Sequence, residues 1–312
     1  MATVEDVERL AQACCNWGRW GPEDELGTLN FVTPETVRAA KEEIRTGEVF
    51  SLAIGFGPSG PQHGRDGRFN PIHLMRATGT DVAAGYQAAD SGGYADDVVI
   101  MPLQCATQWD GLGHIFHRGR MWNGYGVETI GSGGARRLAI TAFRDRLVGR
   151  GVLVDVAGFR GVECLLPGEA IRAEELEAVL AAEGVRLRRG DFLLVRTGQL
   201  DFCLEHGWGD FAGGDAPGLA LDTAPWLYAK EVAAVATDTW GAEVRPNEVP
   251  DMRQPWHHVV IPYIGLVVGE IWRLGPLAEA ARRDGRYTCF LAAPALPIEG
   301  AVGSPVNPLA VR

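Results

Sequence analysis

Five short apolar runs, spaced out by stretches of helical periodicity, constrain this chain more than any other feature. They are Gly151–Val156 ("GVLVDV"), Asp191–Arg196 ("DFLLVR"), Val232–Thr237 ("VAAVAT"), Val259–Ile261 ("VVI") and Phe290–Ala293 ("FLAA"). Each is bounded by turn residues and reads as a short buried strand. Between them, "AEELEAVLAAE" over Ala173–Glu183 sets Leu176, Val179 and Leu180 on one helical face and stops at Gly184. Thr33 and Pro34 open a second helix through "ETVRAAKEEI", with Thr as N-cap and Pro in the first turn. Leu221–Ala229 and Pro276–Arg283 read as shorter helices. Strands and helices interleave, which predicts an α/β fold with some parallel pairing.

No composition break or internal repeat divides the 312 residues, so one domain over residues 1–312 is expected. Its first hundred residues differ from the rest. From Ser51 to Val98 the chain is rich in Gly, Pro, Asp and Asn without periodicity, and long irregular stretches of this kind usually supply functional loops. A net charge of −11 argues against a nucleic-acid surface. Nowhere do eighteen apolar residues run uninterrupted, which argues against a membrane span. The acidic, helical N-terminus has no basic segment leading into an apolar one. The six cysteines form no CxxC and read as reduced thiols. The expectation is a cytoplasmic protein that handles a small molecule.

Two clusters could carry chemistry. "LQCATQWDGLGH", Leu103–His114, holds Gln104, Gln108, Asp110 and His114 within eleven residues. They are laid out like ligands, yet a carboxylate capping backbone amides beside a hydrogen-bonded imidazole would look the same. In "HHVVIPYIGLVVGEIW", His258 precedes an apolar run that ends at Glu270. A carboxylate buried there needs a partner cation, metal or proton. Asp238 and Glu243, in "ATDTWGAEVRP", follow a strand at its C-terminal end, where ligand sites of α/β sheets gather. An Asp that closes a turn fits Asp238 equally well. His206 reads as a surface residue and "GSGGARR" as a loop; no GxSxG, Walker or dinucleotide fingerprint is present.

Together the clusters resemble the putative cyclase family of metal-dependent hydrolases, which includes bacterial kynurenine formamidase and isatin hydrolase. The family signature HxGTHxDxPxH aligns with Gln104 to His114, and its distant His and Glu, twelve residues apart, align with His258 and Glu270. "GRGVLVDVAGFRG", "RRGDFLLVRTGQ" and "AVGSPVNPLAV" extend the likeness over roughly residues 100 to 312. The resemblance implies a swivelling β/β/α-type fold with a mixed sheet core and flanking helices, assembled as a homodimer or homotetramer.

This chain departs from the signature where it matters most. Gln104 and Gln108 replace the first two histidines, Ala106 the glycine and Leu112 the proline. Carried over residue by residue, Gln104, Gln108 and Asp110 occupy the first metal site. Asp110, His114 and Glu270 frame its neighbour, with His258 the leading proton-transfer group beside Glu270 and His114. Amide oxygens are hard, weak donors, which tilts the preference from Zn²⁺ toward Mn²⁺, Mg²⁺ or Ca²⁺. One metal in the second position, or none with the two glutamines donating to substrate, are the alternatives.

The resemblance implies metal-assisted hydrolysis of a C–N amide or lactone bond in a small cyclic or aromatic substrate. Trp109, Trp122, Tyr125, Asp238 and Trp240 would wall the substrate pocket, with His73 reaching in from the irregular region; core packing is the other reading for the aromatics. A lyase or cyclase acting on a polyketide-like or hydroxy-acid substrate is the rival enzyme, and an inactive small-molecule-binding homologue the rival outside catalysis.

Overall fold

The computed structural model describes residues 2–90 and 92–312. Its frame is a nine-stranded mixed sheet. In chain order the strands are β1 (Val49–Ser51), β2 (Gln108–Asp110), β3 (Val148–Asp155), β4 (Phe192–Arg196), β5 (Ala234–Thr237), β6 (Val267–Glu270), β7 (Thr288–Ala292), β8 (Gly303–Pro305) and β9 (Leu309–Val311). Across the sheet they run β1-β9-β7-β3-β4-β5-β6-β2-β8. The centre, β3-β4-β5-β6, is parallel. On one side β2 and β8 continue it antiparallel, and on the other β7, β9 and β1 do.

Every residue of β4, β5 and β6 is buried, as parallel strands covered on both faces require. The covering helices include α1 (Val4–Ala13), α2 (Pro34–Ala40), α3 (Ala173–Ala182), α4 (Gln199–His206), α5 (Thr223–Lys230) and α6 (Gly275–Asp284). Thr33 caps α2 as the sequence predicts: Thr36 N–H donates to its Oγ1 at 3.3 Å and Thr36 Oγ1 accepts from Thr33 N–H at 2.9 Å. Leu176, Val179 and Leu180 form the buried face of α3. One apolar core reaches from Val7 to Ala310. All six cysteines are free, and among the described residues no helix is long and apolar enough to cross a membrane.

Four of the five expected strands lie within a few residues of β3, β4, β5 and β7. The fifth, Val259–Ile261, is helical: a short α turn, His257–Val259, passes into a π turn, Val260–Ile264, that ends at left-handed Gly265. Three buried apolar residues carry no period, so nothing in the run itself separates strand from helix. The strand of this region is β6, just downstream.

The irregular N-terminal stretch divides in two. Ile72–Ala77 pairs with Asp96–Ile100 in a hairpin exposed along nearly all its length. The loop between β1 and the hairpin turns back onto the segment before β2. Ile54 N–H donates to Thr107 Oγ1 at 3.0 Å, and Gln62 Nε2 donates to the Cys105 carbonyl at 2.8 Å.

Candidate metal and acid–base site

The parallel strands end in polar residues: Asp155 on β3, Arg196 on β4, Thr237 and Asp238 at β5, and Glu270 on β6. At the β6 end, antiparallel β2 lies alongside with Gln108 opposite Glu270 and Asp110 opposite Val268. Side chains alternate along a strand. Gln108 and Asp110 therefore share one face and Trp109 takes the other. There its indole packs edge-on to Trp272, with centroids 4.6 Å apart, and donates to the Ala293 carbonyl at 2.8 Å. Gly269 makes that packing possible, because a Cβ on it would lie 2.7–2.9 Å from Trp272, Ala236 and Trp109.

On the other face Asp110, His257 and Glu270 each place a ligand atom within 4.8 Å of the others. Gln108, Asp110, His257 and Glu270 are only 0–3% exposed. Gln108 Nε2 donates to Glu270 Oε2 at 2.7 Å, and His257 Nε2 meets Glu270 Oε1 at 3.2 Å. The second ring nitrogen of His257 is held at 2.6 Å by Glu243 Oε1, which also accepts the His257 backbone N–H, while Glu243 Oε2 accepts that of Trp256. Burial disfavours a charged ring, but the hydrogen bonds to Glu243 and Glu270 outweigh it and lift the pKa of His257 to about 10. His257 is thus the hydrogen-bonding partner of Glu270 in a position where burial calls for a cation, metal or proton.

Thr107 anchors the strand: its Oγ1 donates to the Ile271 carbonyl at 2.6 Å. Ile271, immediately after Glu270, is left-handed at φ 61°, a conformation a β-branched residue adopts only when its surroundings force it. Its N–H donates to the Thr239 carbonyl at 3.0 Å.

The histidine facing Glu270 is thus His257, where the sequence pointed to His258. Neighbouring positions of a helical turn are about 100° apart, so only one of the pair can face β6. The His258 ring packs edge-on to His117, centroids 5.5 Å apart, and its buried Nδ1 has no partner. Burial, with His117 and His257 nearby, pushes its pKa down to about 4.

The other expected residues divide between the site and the framework. His114 Nε2 lies 3.7 Å from Asp110 Oδ1, and its side chain, 20% exposed, is the open flank of the cluster. Half-buried Gln104 lays its amide against Gly303, which faces Asp110 across the β2–β8 ladder. Trp122 is buried in the core, its indole donating to Asp24 Oδ2 at 3.1 Å. Tyr125 lies under the Arg137 guanidinium. Asp238 closes a turn, accepting from Thr197 N–H, Thr197 Oγ1 and Gly198 N–H at 2.7–2.8 Å. His73 stands on the exposed hairpin, 2.8 Å from Asp97. Trp240 belongs to a second apolar cluster with Cys105, Ala106 and Ile271, beside the motif strand.

The donors suit a divalent cation. Gln108 Oε1 and Asp110 Oδ1 are buried oxygens that accept no hydrogen bond, and burial raises the Asp110 carboxyl pKa, with the adjacent Glu270 adding to it against His114 and Arg68. A cation among them would satisfy both oxygens and offset the charge of the two carboxylates. Glu243 already grips the far nitrogen of His257, as carboxylates do for metal-binding imidazoles. An apolar cleft of about 490 Å³ lies elsewhere, lined by residues including Cys164, Phe202, Cys203 and Trp208. Burial lifts the Cys164 thiol to about 12 and raises that of Cys203, so neither favours the thiolate form.

The sequence profile of the family described as "Putative cyclase" matches residues 50–244. Among solved structures the chain is similar to one described as a novel cyclase, at 39% identity and TM-score 0.89 over 96% of this chain and 99% of that one. It shares its fold with isatin hydrolase A from Ralstonia solanacearum, at 17% identity and TM-score 0.62 over 87% of this chain and 93% of the other. The same holds for a predicted metal-dependent hydrolase from Bacillus stearothermophilus, at 17% identity and TM-score 0.54 over 85% and 98%. No curated protein matches the sequence.

Proposed function

This chain belongs to the putative cyclase family, and from that premise we propose that it is a metal-assisted hydrolase opening a C–N amide or lactone bond in a small cyclic or aromatic substrate. One observation carries the reading: a buried carboxylate–imidazole–carboxylate cluster, its ligand atoms within 4.8 Å of one another, whose neighbouring oxygens on Asp110 and Gln108 accept nothing.

Asp110, His257 and Glu270 would hold the ion, with the Gln108 carbonyl as a fourth donor. When bound, the ion supplies Lewis acidity toward a carbonyl oxygen and a water. Glu243 fixes the orientation of the His257 ring through its Nδ1–H. Glu270 is oriented by Gln108 and serves as the base that takes a proton from the attacking water. His114, on the open flank, returns a proton to the leaving nitrogen or oxygen. His258 has no contact with Glu270 and plays a supporting part beside His117. Manganese fits the amide-containing donor set better than zinc.

The test pairs metal analysis of protein purified without chelator with a panel of lactones and aryl amides followed by acid release. Stoichiometric metal lost in Asp110→Asn, together with lost turnover, is expected. Full activity in metal-free protein would overturn the mechanism, and elimination or ring closure without hydrolysis would reassign the site to a lyase.

Assembly into a homodimer or homotetramer is part of the same reading. It is supported by the exposed apolar residues Ile72, Leu74, Met75, Val98, Val99 and Ile100 of the hairpin. Val99→Asp should shift the protein to monomer in light scattering; an unchanged mass would count against the hairpin as the contact.

A further inference from the structure

Beside the site, three arginines form no direct ion pair, although Asp66 and Glu243 are near enough to act on their charge. Arg245 is only 8% exposed, and its buried Nη1 has no hydrogen-bond partner. Its guanidinium lies 5.5 Å from the centroid of the Trp240 ring, and that of Arg68 lies 5.1 Å from the same ring. Arg65 packs onto Gly213 nearby. Among the described residues none of the three forms an ion pair, whereas neighbouring Arg253 is bound to Asp66. What sets Arg245 apart is its burial: other arginines without an ion pair, such as Arg45 and Arg120, are exposed. A guanidinium taken out of water without hydrogen-bond acceptors is costly to keep.

The placement ties these arginines to the reaction centre. Arg245 lies two residues beyond Glu243, the residue that grips His257. Trp240 Nε1 donates to Gln62 Oε1 at 3.4 Å, and Gln62 Nε2 donates to the Cys105 carbonyl in the motif segment. Arg68 is close enough to Asp110 for its charge to oppose the effect of burial on that carboxyl. The loop that carries Arg68 is the irregular N-terminal stretch, and its placement against the motif gives that stretch a purpose.

We propose that Arg245 and Arg68, gathered on Trp240, form an anion-recognition subsite, so that the substrate of this site carries an oxyanion group, a carboxylate or a phosphate. Guanidinium forks match the planar geometry of such groups and bind them through paired N–H donors. The anion would fill the missing contacts of Arg245 while the scissile carbonyl reaches toward Asp110 and Glu270. The inference rests on the hydrolase reading for its reaction centre, but its test is of binding alone.

Calorimetric titration of the full-length protein with benzoate, phenyl phosphate and neutral benzamide makes that test. At least one anion should bind about tenfold or more tighter than benzamide, and raising the salt should erode the difference. The stronger of the two anions assigns the class. Arg68→Gln, at a half-buried side chain without hydrogen bonds, should remove about tenfold of the preference while leaving benzamide binding unchanged. Arg245→Gln should do the same where it folds, with Arg245→Lys restoring part of it. Equal binding of all three probes by the wild type, or an undiminished preference in Arg68→Gln, would overturn the proposal. Asp110→Asn separates the two ideas: anion binding that survives in this variant upholds the subsite even if no substrate is ever hydrolysed.

Discussion

Asp155 and Asp110 are equally buried, each 2% exposed, and lie near the same edge of the sheet, yet their surroundings are opposite. Asp155 Oδ1 accepts from Arg196 Nη1 at 2.8 Å and from Gly158 N–H at 3.1 Å, and Arg282 closes on Oδ2. Asp110 has no arginine in contact; its Oδ1 accepts nothing, and His114 Nε2 lies 3.7 Å away. At one end of the edge the sheet neutralises its acid and is finished with it. At the other it keeps acceptors unfilled and gathers further ligands around them. A buried polar group left short of partners needs an explanation, and a water, an ion or a bound reactant can each supply one.

The largest effect separates the two acids by stability. Asp155→Ala takes from buried Arg196 its hydrogen-bonded carboxylate, leaving Asp201 at 3.7 Å, and loss of one partner of a buried pair costs about 3–5 kcal/mol; chemical denaturation should show a loss toward that size. Asp110→Asn removes a charge that the fold barely neutralises, so its midpoint should stay level or rise. Its catalytic efficiency should fall about a thousandfold, or about 4 kcal/mol. If Asp155→Ala leaves stability intact while Asp110→Asn unfolds the protein, the comparison inverts and the cluster is framework. Glu243→Gln probes the next layer: losing the carboxylate behind His257 should weaken metal affinity about 10–100-fold, or about 1.4–2.7 kcal/mol. Titration with Mn²⁺ checks it, and unchanged affinity would remove His257 from the ligand set.

How far the sequence disclosed all this follows from the kind of signal each residue leaves. β3, β4 and β5 were legible because parallel strands buried on both faces must read as continuous apolar runs. Spacing left Gln108 and Asp110 open to a capped-loop reading, and only the resemblance tied them to Glu270, whose apolar surroundings called for a cation, metal or proton. What spacing could not supply was orientation. His257 and His258 are adjacent in sequence, and only the turn that runs into a π turn decides which one meets Glu270. The same blindness covered Trp109, whose position inside the motif suggested a pocket wall; one step along a strand reverses the face, and it belongs to the core. Arg68 and Arg245 left no signal, because a missing ion pair is a property of three-dimensional neighbours.

Glu183 offers the smallest test, from the paired end of the edge. Its Oε1 accepts the Asp155 N–H at 2.9 Å, while its Oε2 is buried and unpartnered, like the Oδ1 of Asp110. Burial lifts its pKa from the ordinary 4.5 to about 8, with Asp155 nearby adding to the rise against that backbone hydrogen bond. The folded chain therefore keeps a proton that the unfolded chain releases. Its stabilising effect is complete below pH 4.5 and is lost as the pH climbs through about 8. Glu183→Gln keeps an oxygen for the Asp155 amide and abolishes the titration. Denaturation at pH 5, 6.5 and 8 should show the variant gaining on the wild type as pH rises, by about 1–2 kcal/mol at pH 8 after allowance for solvent screening. Parallel curves across that range would mean that Glu183 is solvated in solution. A converging second ligand separates the two orphaned oxygens: Glu183 faces an acid whose partners are complete, whereas Asp110 faces Glu270 and His257. Glu183→Gln should accordingly leave metal content and turnover untouched, and a loss of either would show that an unfilled acceptor anywhere along this edge feeds the site.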